Sequence, residues 1–133
     1  MKKLKKICPF LIPLFVSAVI ITLFRCVFFL GYVPTGSMEP TLNAGSFVLG
    51  IRCFDEPETG DIIIFRHNGA ILVKRIAAKD GDTIVHRDSP VTVPENCFYV
   101  LGENAENSYD SRYWDDPFVS YEDVMAKLLF PVK

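Results

Sequence analysis

The chain has 133 residues, a length that suits one small domain, and half of them are apolar. All 16 acidic residues lie at or after Glu39, whereas four lysines lie within the first six residues. This distribution does not fit a nucleic-acid-binding protein, which would carry a basic patch on its folded part.

An uncharged apolar run, Ile7 to Phe24, follows the N-terminal lysines. As a helix it would span about 27 Å, close to the ~30 Å hydrocarbon core of a bilayer. The apolar character continues past Arg25, and no small-x-small cleavage pattern follows, which favours a retained anchor over a cleaved signal peptide. The lysines would stay in the cytoplasm. The sequence therefore predicts a cytoplasmic basic tail over 1–6, a transmembrane anchor over 7–30 and an extracytoplasmic domain over 31–133.

The remainder of the chain alternates short strand signals with turn signals, a pattern typical of an all-β barrel or sandwich. The predicted strands cover 47–52, 62–65, 71–76, 83–86, 97–101 and 128–130. Between the second and third of them, Asn68-Gly69 indicates a hairpin turn. A proline-containing connection is expected over 89–96, a polar loop over 103–116 and a helical turn within 119–127.

The four cysteines are Cys8, Cys26, Cys53 and Cys97, and none are spaced as C-x-x-C, so neither a zinc site nor a thioredoxin-type motif is supported. Two interpretations of Cys53 and Cys97 remain open. They would form a disulfide outside the cytoplasm, or they would be two buried thiols that pack as small apolar residues. No cofactor and no metal is expected.

Two residues point to acyl-transfer chemistry. Ser37 lies within Thr35-Gly36-Ser37-Met38, directly after the apolar segment, where Thr-Gly-Ser is also ordinary turn chemistry. Lys74 lies inside an apolar strand, and a Ser nucleophile with a Lys base is a known variant of serine-hydrolase machinery. A lysine acts as a base only when neutral, so burial must lower its pKa from about 10.4. Without further motifs, a solvent-facing Lys74 on an edge strand would be the plainer interpretation.

An ordered set of motifs gives these two residues a context. The set comprises Thr35–Leu42, Gly60–Phe65, Val73–Ile76, Gly81–Ile84 and Gly102–Trp114. With these motifs in this order behind an anchor, the chain resembles the type I signal peptidases of bacteria. The resemblance implies barrel-like, coiled antiparallel sheets after one N-terminal transmembrane helix. It also implies a membrane-bound serine endopeptidase that removes N-terminal signal peptides from exported preproteins after A-x-A-like sites.

The resemblance further implies a role for each matching residue. Ser37 would attack the scissile carbonyl, and Lys74 would act as the general base. The Ser37 backbone N–H and the Thr35 hydroxyl would form the oxyanion hole.

A second set of residues would support this machinery. Ser108 would orient the Lys74 amine, and Asp110 and Arg112 would form an ion pair that holds their loop. The pockets for the small residues one and three positions before the cut would have apolar walls, formed by Val33, Met38, Leu42, Leu72 and Val73.

The chain departs from the family pattern in its last motif. Gly102-Glu103-Asn104-Ala105 stands where the family usually reads Gly-Asp-Asn-Arg, and Asp115-Asp116 replaces the usual Gly after Trp114. A longer acid and a missing Arg are expected to loosen this loop. The alternative function is therefore a catalytically weakened, membrane-anchored binding protein for exported chains. Only about 20 residues separate Asp82 from Gly102, which matches the minimal, single-anchor form common in Gram-positive bacteria.

The expected partners are the signal peptides of secretory preproteins, the lipid bilayer and the secretion translocon, with no nucleic acid. The expected location is the bacterial cell membrane, single-pass, with the N-terminus cytoplasmic and the catalytic domain outside. His67 and His86 are expected to be loop or strand-end residues, because the position that matches the family's base is Lys74.

Overall fold

A computed structural model describes the backbone of residues 4–132 and the side chains of residues 9–129. Helix α1 covers Leu4–Val27 and is followed, without a linker, by antiparallel β-structure. The predicted cytoplasmic tail lies partly outside the described residues, and its last three residues begin α1.

Helix α1 is long and apolar enough to cross a membrane. No residue of its span Pro9–Val27 is buried in the rest of the chain. An N-terminal apolar helix with this length and exposure fits a membrane anchor.

Within the described residues, nine strands follow the helix: β1 (Phe28–Tyr32), β2 (Phe47–Ile51), β3 (Ile62–His67), β4 (Ala70–Lys79), β5 (Thr83–His86), β6 (Ser89–Thr92), β7 (Cys97–Leu101), β8 (Phe118–Ser120) and β9 (Val124–Val132). Seven of them form one sheet in the order β1-β2-β9-β3-β4-β7-β8, in which every neighbouring pair is antiparallel. Strands β5 and β6 form a separate hairpin. The predicted all-β fold behind one apolar helix is confirmed, and the sheet is open rather than closed into a barrel.

All six predicted strands are present, but three strands are additional to them. Strand β1 takes Phe28–Leu30, which the hydropathy pattern assigns to the anchor. The chain leaves the helix there because β1 pairs along its whole length with β2, and the Arg52 backbone N–H donates to the Val27 carbonyl at 2.7 Å. Strand β6 lies within 89–96, where a proline-containing connection is predicted. Strand β8 lies directly before Tyr121. The predicted helical turn is a single 3₁₀ turn, Tyr121–Asp123, after which β9 begins.

The central strand β3 is buried on both faces of the sheet. Its alternating side chains divide between two apolar clusters: Ile64 packs with Met38 and Leu42, and Ile63 packs with Ile76 and Trp114. The first cluster is covered by the segment between β1 and β2, and the second by the segment between β7 and β8. These two covering segments carry Ser37 and the polar loop, respectively.

The cysteines do not follow either sequence-based interpretation completely. Cys53 and Cys97 are both free thiols, and Cys53 is exposed whereas Cys97 is partly buried. No bridge joins them in the described part of the chain.

Candidate active site

Ser37 lies on the irregular segment between β1 and β2. It lies in a turn, in which the Glu39 backbone N–H donates to the Gly36 carbonyl at 3.1 Å, and in the next turn the Leu42 N–H donates to the Met38 carbonyl at 2.8 Å. The Met38 and Leu42 side chains are fully buried and anchor this turn on the sheet. Because the residues after Ser37 are held by packing, the Ser37 hydroxyl has a defined position.

A hydrogen bond of 2.6 Å joins Lys74 Nζ to Ser37 Oγ. Lys74 lies on β4, and only 4% of its surface is exposed, compared with 8% for Ser37. Strand alternation directs the neighbouring Arg75 to the other face of the sheet, so the buried position belongs to the lysine. The solvent-facing interpretation of Lys74 is therefore wrong.

Burial lowers the pKa of the Lys74 amine, because the low-dielectric surroundings disfavour the ammonium form. The Asp110 carboxylate opposes this decrease and the Arg112 guanidinium adds to it. A lysine with a lowered pKa is neutral in a larger fraction of molecules near neutral pH. In that state it can accept the proton of the hydroxyl that lies 2.6 Å away.

Asp110 is the centre of the polar loop between β7 and β8 and is completely buried. Its carboxylate accepts hydrogen bonds from the Ser108 hydroxyl at 2.6 Å and the Gly102 N–H at 2.8 Å. It also accepts two from the Arg112 guanidinium, at 2.8 and 2.7 Å. Burial alone would raise the pKa of Asp110, but the bonds from Arg112 and Ser108 outweigh it and hold the pKa below its ordinary value. The Asp110–Arg112 ion pair is thus present.

Ser108 donates to Asp110, and none of the hydrogen bonds within residues 4–132 joins it to Lys74. Its expected contact with the Lys74 amine therefore stays a prediction. The side chains of Ser108 and Lys74 are both buried. Ser108 binds the Asp110 carboxylate, whose charge raises the pKa of Lys74.

The polar loop packs directly against the backbone of Ser37. The Asn104 N–H donates to the Ser37 carbonyl oxygen at 3.0 Å. A Cβ atom on Gly102 would overlap the Ser108 side chain and would lie 2.7 Å from the Ser37 carbonyl oxygen. Only glycine allows these three backbone and side-chain groups to approach so closely.

Glu103 binds Arg75, the residue that follows Lys74 on β4. Its carboxylate accepts from Arg75, which also donates to the Gly60 carbonyl at 2.5 Å. Burial alone would raise the pKa of Glu103, but hydrogen bonds from Thr41 and Arg75 outweigh it and hold the pKa below its ordinary value. Thr41 belongs to the segment that carries Ser37, and Arg75 follows Lys74. The ion pair with Arg75 therefore connects the loop to β4 beside Lys74, and the loosening of the loop stays a prediction.

A cleft of about 310 Å³ opens beside Ser37 and Lys74. Four of the five predicted pocket residues line this cleft: Val33, Met38, Leu72 and Val73. Thr35 also lines it. The fifth, Leu42, is completely buried in the first core cluster and lies outside the cleft wall. The cleft also has walls that sequence reasoning missed: Phe29, Tyr32, Val48, Ile64 and Ile71. The sequence pattern assigns Phe29 to the anchor and not to the cleft. The other four residues come together only through the pairing of the strands.

A larger cleft, of about 630 Å³, lies away from Ser37 and Lys74, between the β3–β4 turn and the segment after Tyr113. His67 ends β3 at its wall and stacks on Trp114, with ring centroids 3.8 Å apart. His86 ends β5. Both histidines are strand-end residues, as predicted. Among the described residues, no group of three or more His, Cys, Asp or Glu side chains is arranged to hold a metal ion.

Comparisons with known proteins agree with the motifs. The family model described as "Signal peptidase, peptidase S26" matches residues 5–93 and 86–133. The chain is 28% identical over 130 residues to the "Probable signal peptidase I-2" of Synechocystis, which covers 72% of the chain and 59% of that protein. It is 23% identical over 155 residues to the "Signal peptidase I" of Pseudomonas aeruginosa, which covers 64% of the chain and 55% of that protein.

A third relative is the "Inactive signal peptidase IA" of Staphylococcus aureus. It is 28% identical over 144 residues, which cover 82% of the chain and 83% of that protein. The chain thus spans more than four fifths of this relative, but under two thirds of the Synechocystis and Pseudomonas proteins.

Proposed function

Because the chain belongs to the signal peptidase family, peptidase S26, we propose that it is a membrane-bound serine endopeptidase that removes N-terminal signal peptides from exported preproteins after A-x-A-like sites. The observation that carries the proposal is the 2.6 Å hydrogen bond between the buried Lys74 amine and the Ser37 hydroxyl. Burial lowers the pKa of that amine, which suits it to act as a base.

In the first half of the reaction, Ser37 Oγ attacks the scissile carbonyl carbon while Lys74 Nζ takes the hydroxyl proton. The carbonyl oxygen becomes an oxyanion that accepts hydrogen bonds from the Ser37 N–H and the Thr35 hydroxyl. The C–N bond then breaks, and Lys74 returns its proton to the leaving amine. An acyl-enzyme with the signal peptide remains on Ser37, and the mature protein departs.

In the second half, water attacks the ester carbonyl and Lys74 takes a proton from that water. The ester bond to Ser37 breaks, the Ser37 oxygen recovers its proton, and the signal peptide is released with a new carboxylate. Asp110 and Arg112 support both halves, because their nearly neutral pair holds the loop against Ser37 without a net charge beside Lys74.

The cleft beside Ser37 fits the proposed substrate. Its mostly apolar walls suit uncharged side chains rather than charged ones. Val33, Met38, Leu72 and Val73 would contact the residues one and three positions before the cut. Leu42 acts indirectly in this proposal, because it packs beneath Met38 in the core.

Helix α1 would be the single-pass anchor, with the N-terminus in the cytoplasm and a catalytic β domain outside over 31–133. Five residues of β1 separate the end of the helix from Val33, a distance of about 17 Å along an extended strand. The cleft would then lie close to the outer membrane surface, where a signal peptide leaves the bilayer. Signal peptides, the lipid bilayer and the secretion translocon are its proposed partners.

The second candidate function is a binding protein for exported chains without peptidase activity. The name of the Staphylococcus relative favours it, whereas the presence of both Ser37 and Lys74 at hydrogen-bond distance favours the enzyme.

One assay separates the two functions. The full chain in detergent is incubated with a preprotein that has an A-x-A site, beside the variants Ser37→Ala and Lys74→Ala. Lys79→Ala is the matched control, because Lys79 lies on the same strand and pairs with the exposed Glu58. We expect cleavage by the parent and by Lys79→Ala, and none by the other two. Equal cleavage by Lys74→Ala would contradict the Ser/Lys mechanism, and binding without cleavage by the parent would establish the second function.

The lowered pKa of Lys74 gives a second test of the same proposal. The acylation rate should rise with pH as the amine loses its proton, because only the neutral amine accepts the Ser37 proton. A rate that stays flat between about pH 6 and about pH 9 would contradict the assignment of Lys74 as the base.

A further inference from the structure

The loop that packs against Ser37 also forms a second cleft, of about 320 Å³, which the steps above do not use. Its walls are Ala105, Glu106, Asn107, Ser108, Tyr109 and Tyr113. The two clefts share no residue: Ser37 lines the first, and Ser108 lines the second. Ser108 packs against Gly102 beside the Ser37 carbonyl. The second cleft therefore adjoins the backbone of Ser37 through Ser108, on walls that the first cleft does not share.

Two exposed aromatic rings distinguish the second cleft. The rings of Tyr109 and Tyr113 stack with their centroids 6.0 Å apart and their planes inclined by 12°. Tyr109 and Tyr113 are 69% and 50% exposed as residues, so both are accessible from solvent. The face of an aromatic ring attracts the ammonium of a Lys or the guanidinium of an Arg.

The charges around the cleft have one predominant sign. Glu106 is the one charged residue among its six walls. The Arg112 guanidinium lies 5.6 Å from the centre of the Tyr113 ring, but the buried Asp110 carboxylate pairs with that guanidinium. Tyr109 also lines the larger cleft, whose charged walls are three carboxylates and one guanidinium: Asp115, Asp116, Asp123 and Arg66. Asp115 is paired with Arg87, and the remaining carboxylates on the walls of the two clefts, Glu106, Asp116 and Asp123, still outnumber Arg66.

We propose that the second cleft binds the first residues after the cut, and that Tyr109, Tyr113 and Glu106 select substrates with a Lys or Arg there. The proposal rests on the proposed function, which defines the bond that is cut. A cationic side chain would lie over the Tyr109 ring with its charge toward Glu106, whereas an acidic one would meet like charge. Tyr109, Tyr113 and Glu106 are specificity-determining residues in this proposal.

The test uses three peptides that share one A-x-A sequence and differ only in the second residue after the cut, which is Lys, Gln or Glu. The second series places the same change at the third residue. We expect kcat/KM to fall in the order Lys, Gln, Glu, with about a 2- to 5-fold preference for Lys over Gln at one of these positions. High salt should reduce the Lys-to-Glu ratio, because the attraction is electrostatic.

Variants locate the effect. Tyr109→Ala should lower kcat/KM for the Lys peptide more than for the Gln peptide. Tyr109→Phe should keep the parent's preference for Lys, because phenylalanine keeps the aromatic ring. Glu106→Gln should reduce the Lys-to-Glu ratio. Glu95→Gln should leave that ratio as in the parent, because Glu95 is exposed and lies on the connection before β7, outside the cleft walls.

The outcomes for this inference and for the proposed function are distinguishable. Equal cleavage of the three peptides at both positions would overturn the inference and leave the peptidase activity established. If the parent cuts none of them, the peptidase function fails, and the inference is decided by titration calorimetry with the Ser37→Ala chain. Tighter binding of the Lys peptide, lost in the added change Tyr109→Ala, supports the cleft, and equal dissociation constants overturn it.

Discussion

Replacement of Asp110 by Asn tests whether the buried carboxylate holds the site together. Asp110 is completely buried, and its two oxygens accept five hydrogen bonds from Gly102, Ser108 and Arg112. Asparagine offers one acceptor oxygen, and its NH₂ group would face groups that are themselves donors. The Arg112 guanidinium would also lose its counter-charge.

The magnitude follows from this geometry. Removal of one partner of a buried charge pair costs about 3 to 5 kcal/mol. Because 32% of the Arg112 side chain is exposed, water can partly replace the lost carboxylate. We therefore expect the free energy of unfolding to fall by the lower value, about 3 kcal/mol.

The same change should move the pH dependence of acylation. The Asp110 carboxylate raises the pKa of Lys74, and Arg112 lowers it. With Asn at position 110 the raising charge is absent and Arg112 is unpaired, so the pKa of Lys74 falls further. In a plot of the acylation rate against pH, the ascending limb should move to lower pH. General damage to the site would lower the rate without this shift.

Urea unfolding of the chain in detergent measures the stability, with fluorescence of the single tryptophan, Trp114, as the signal. Trp114 is buried two residues after Arg112, so its emission reports the loop. Asp115→Asn is the matched control: its side chain is 98% exposed, and its ion pair with Arg87 should contribute at most about 0.5 kcal/mol. A loss below about 1 kcal/mol for Asp110→Asn, or a limb that moves to higher pH, would refute the reasoning.

Two further substitutions test the neighbouring contacts. Glu103→Gln removes the ion pair with Arg75 and should lower the free energy of unfolding by about 1 kcal/mol at neutral pH. The folded-state pKa of Glu103 lies below its unfolded value, so its contribution is present above the unfolded pKa and is lost as pH falls through the folded pKa. Parent and variant should therefore converge in acid, and a constant difference would contradict the ion pair. Gly102→Ala should abolish cleavage and cost at least about 2 kcal/mol, because its methyl group would overlap Ser108. Gly81→Ala, which has open space but a φ of +82°, should cost about 1 to 2 kcal/mol and keep cleavage; equal activity of the two variants would contradict the close approach at Gly102.

The prediction from sequence succeeded where a local pattern carries the information. Alternating and β-branched residues marked six strands, and Asn68-Gly69 marked the β3–β4 turn, because side-chain period and backbone φ are local properties. The Ser37–Lys74 pair was found through the order of motifs, and their 2.6 Å contact is consistent with it.

The prediction failed where the answer depends on a partner elsewhere in the chain. Phe28–Leu30 are as apolar as the anchor, and only pairing with β2 makes them a strand. Leu42 is apolar, as a residue of the predicted pocket should be, but its side chain lies in the core. There it packs in one cluster with Ile64. Glu103 departs from the family pattern, yet its carboxylate pairs with Arg75 on β4.

The sequence by itself determined the apolar helix, the succession of strands and the residue types able to perform acyl transfer, since each depends on neighbours along the chain. The tertiary structure decided the state of those residues. It buries Lys74 and so lowers its pKa, it pairs Asp110 with Arg112, and it forms one cleft that Ser37 lines and another that Ser108 lines. Burial and the distance between charges arise from segments that are far apart in sequence, and for that reason no local pattern contains them.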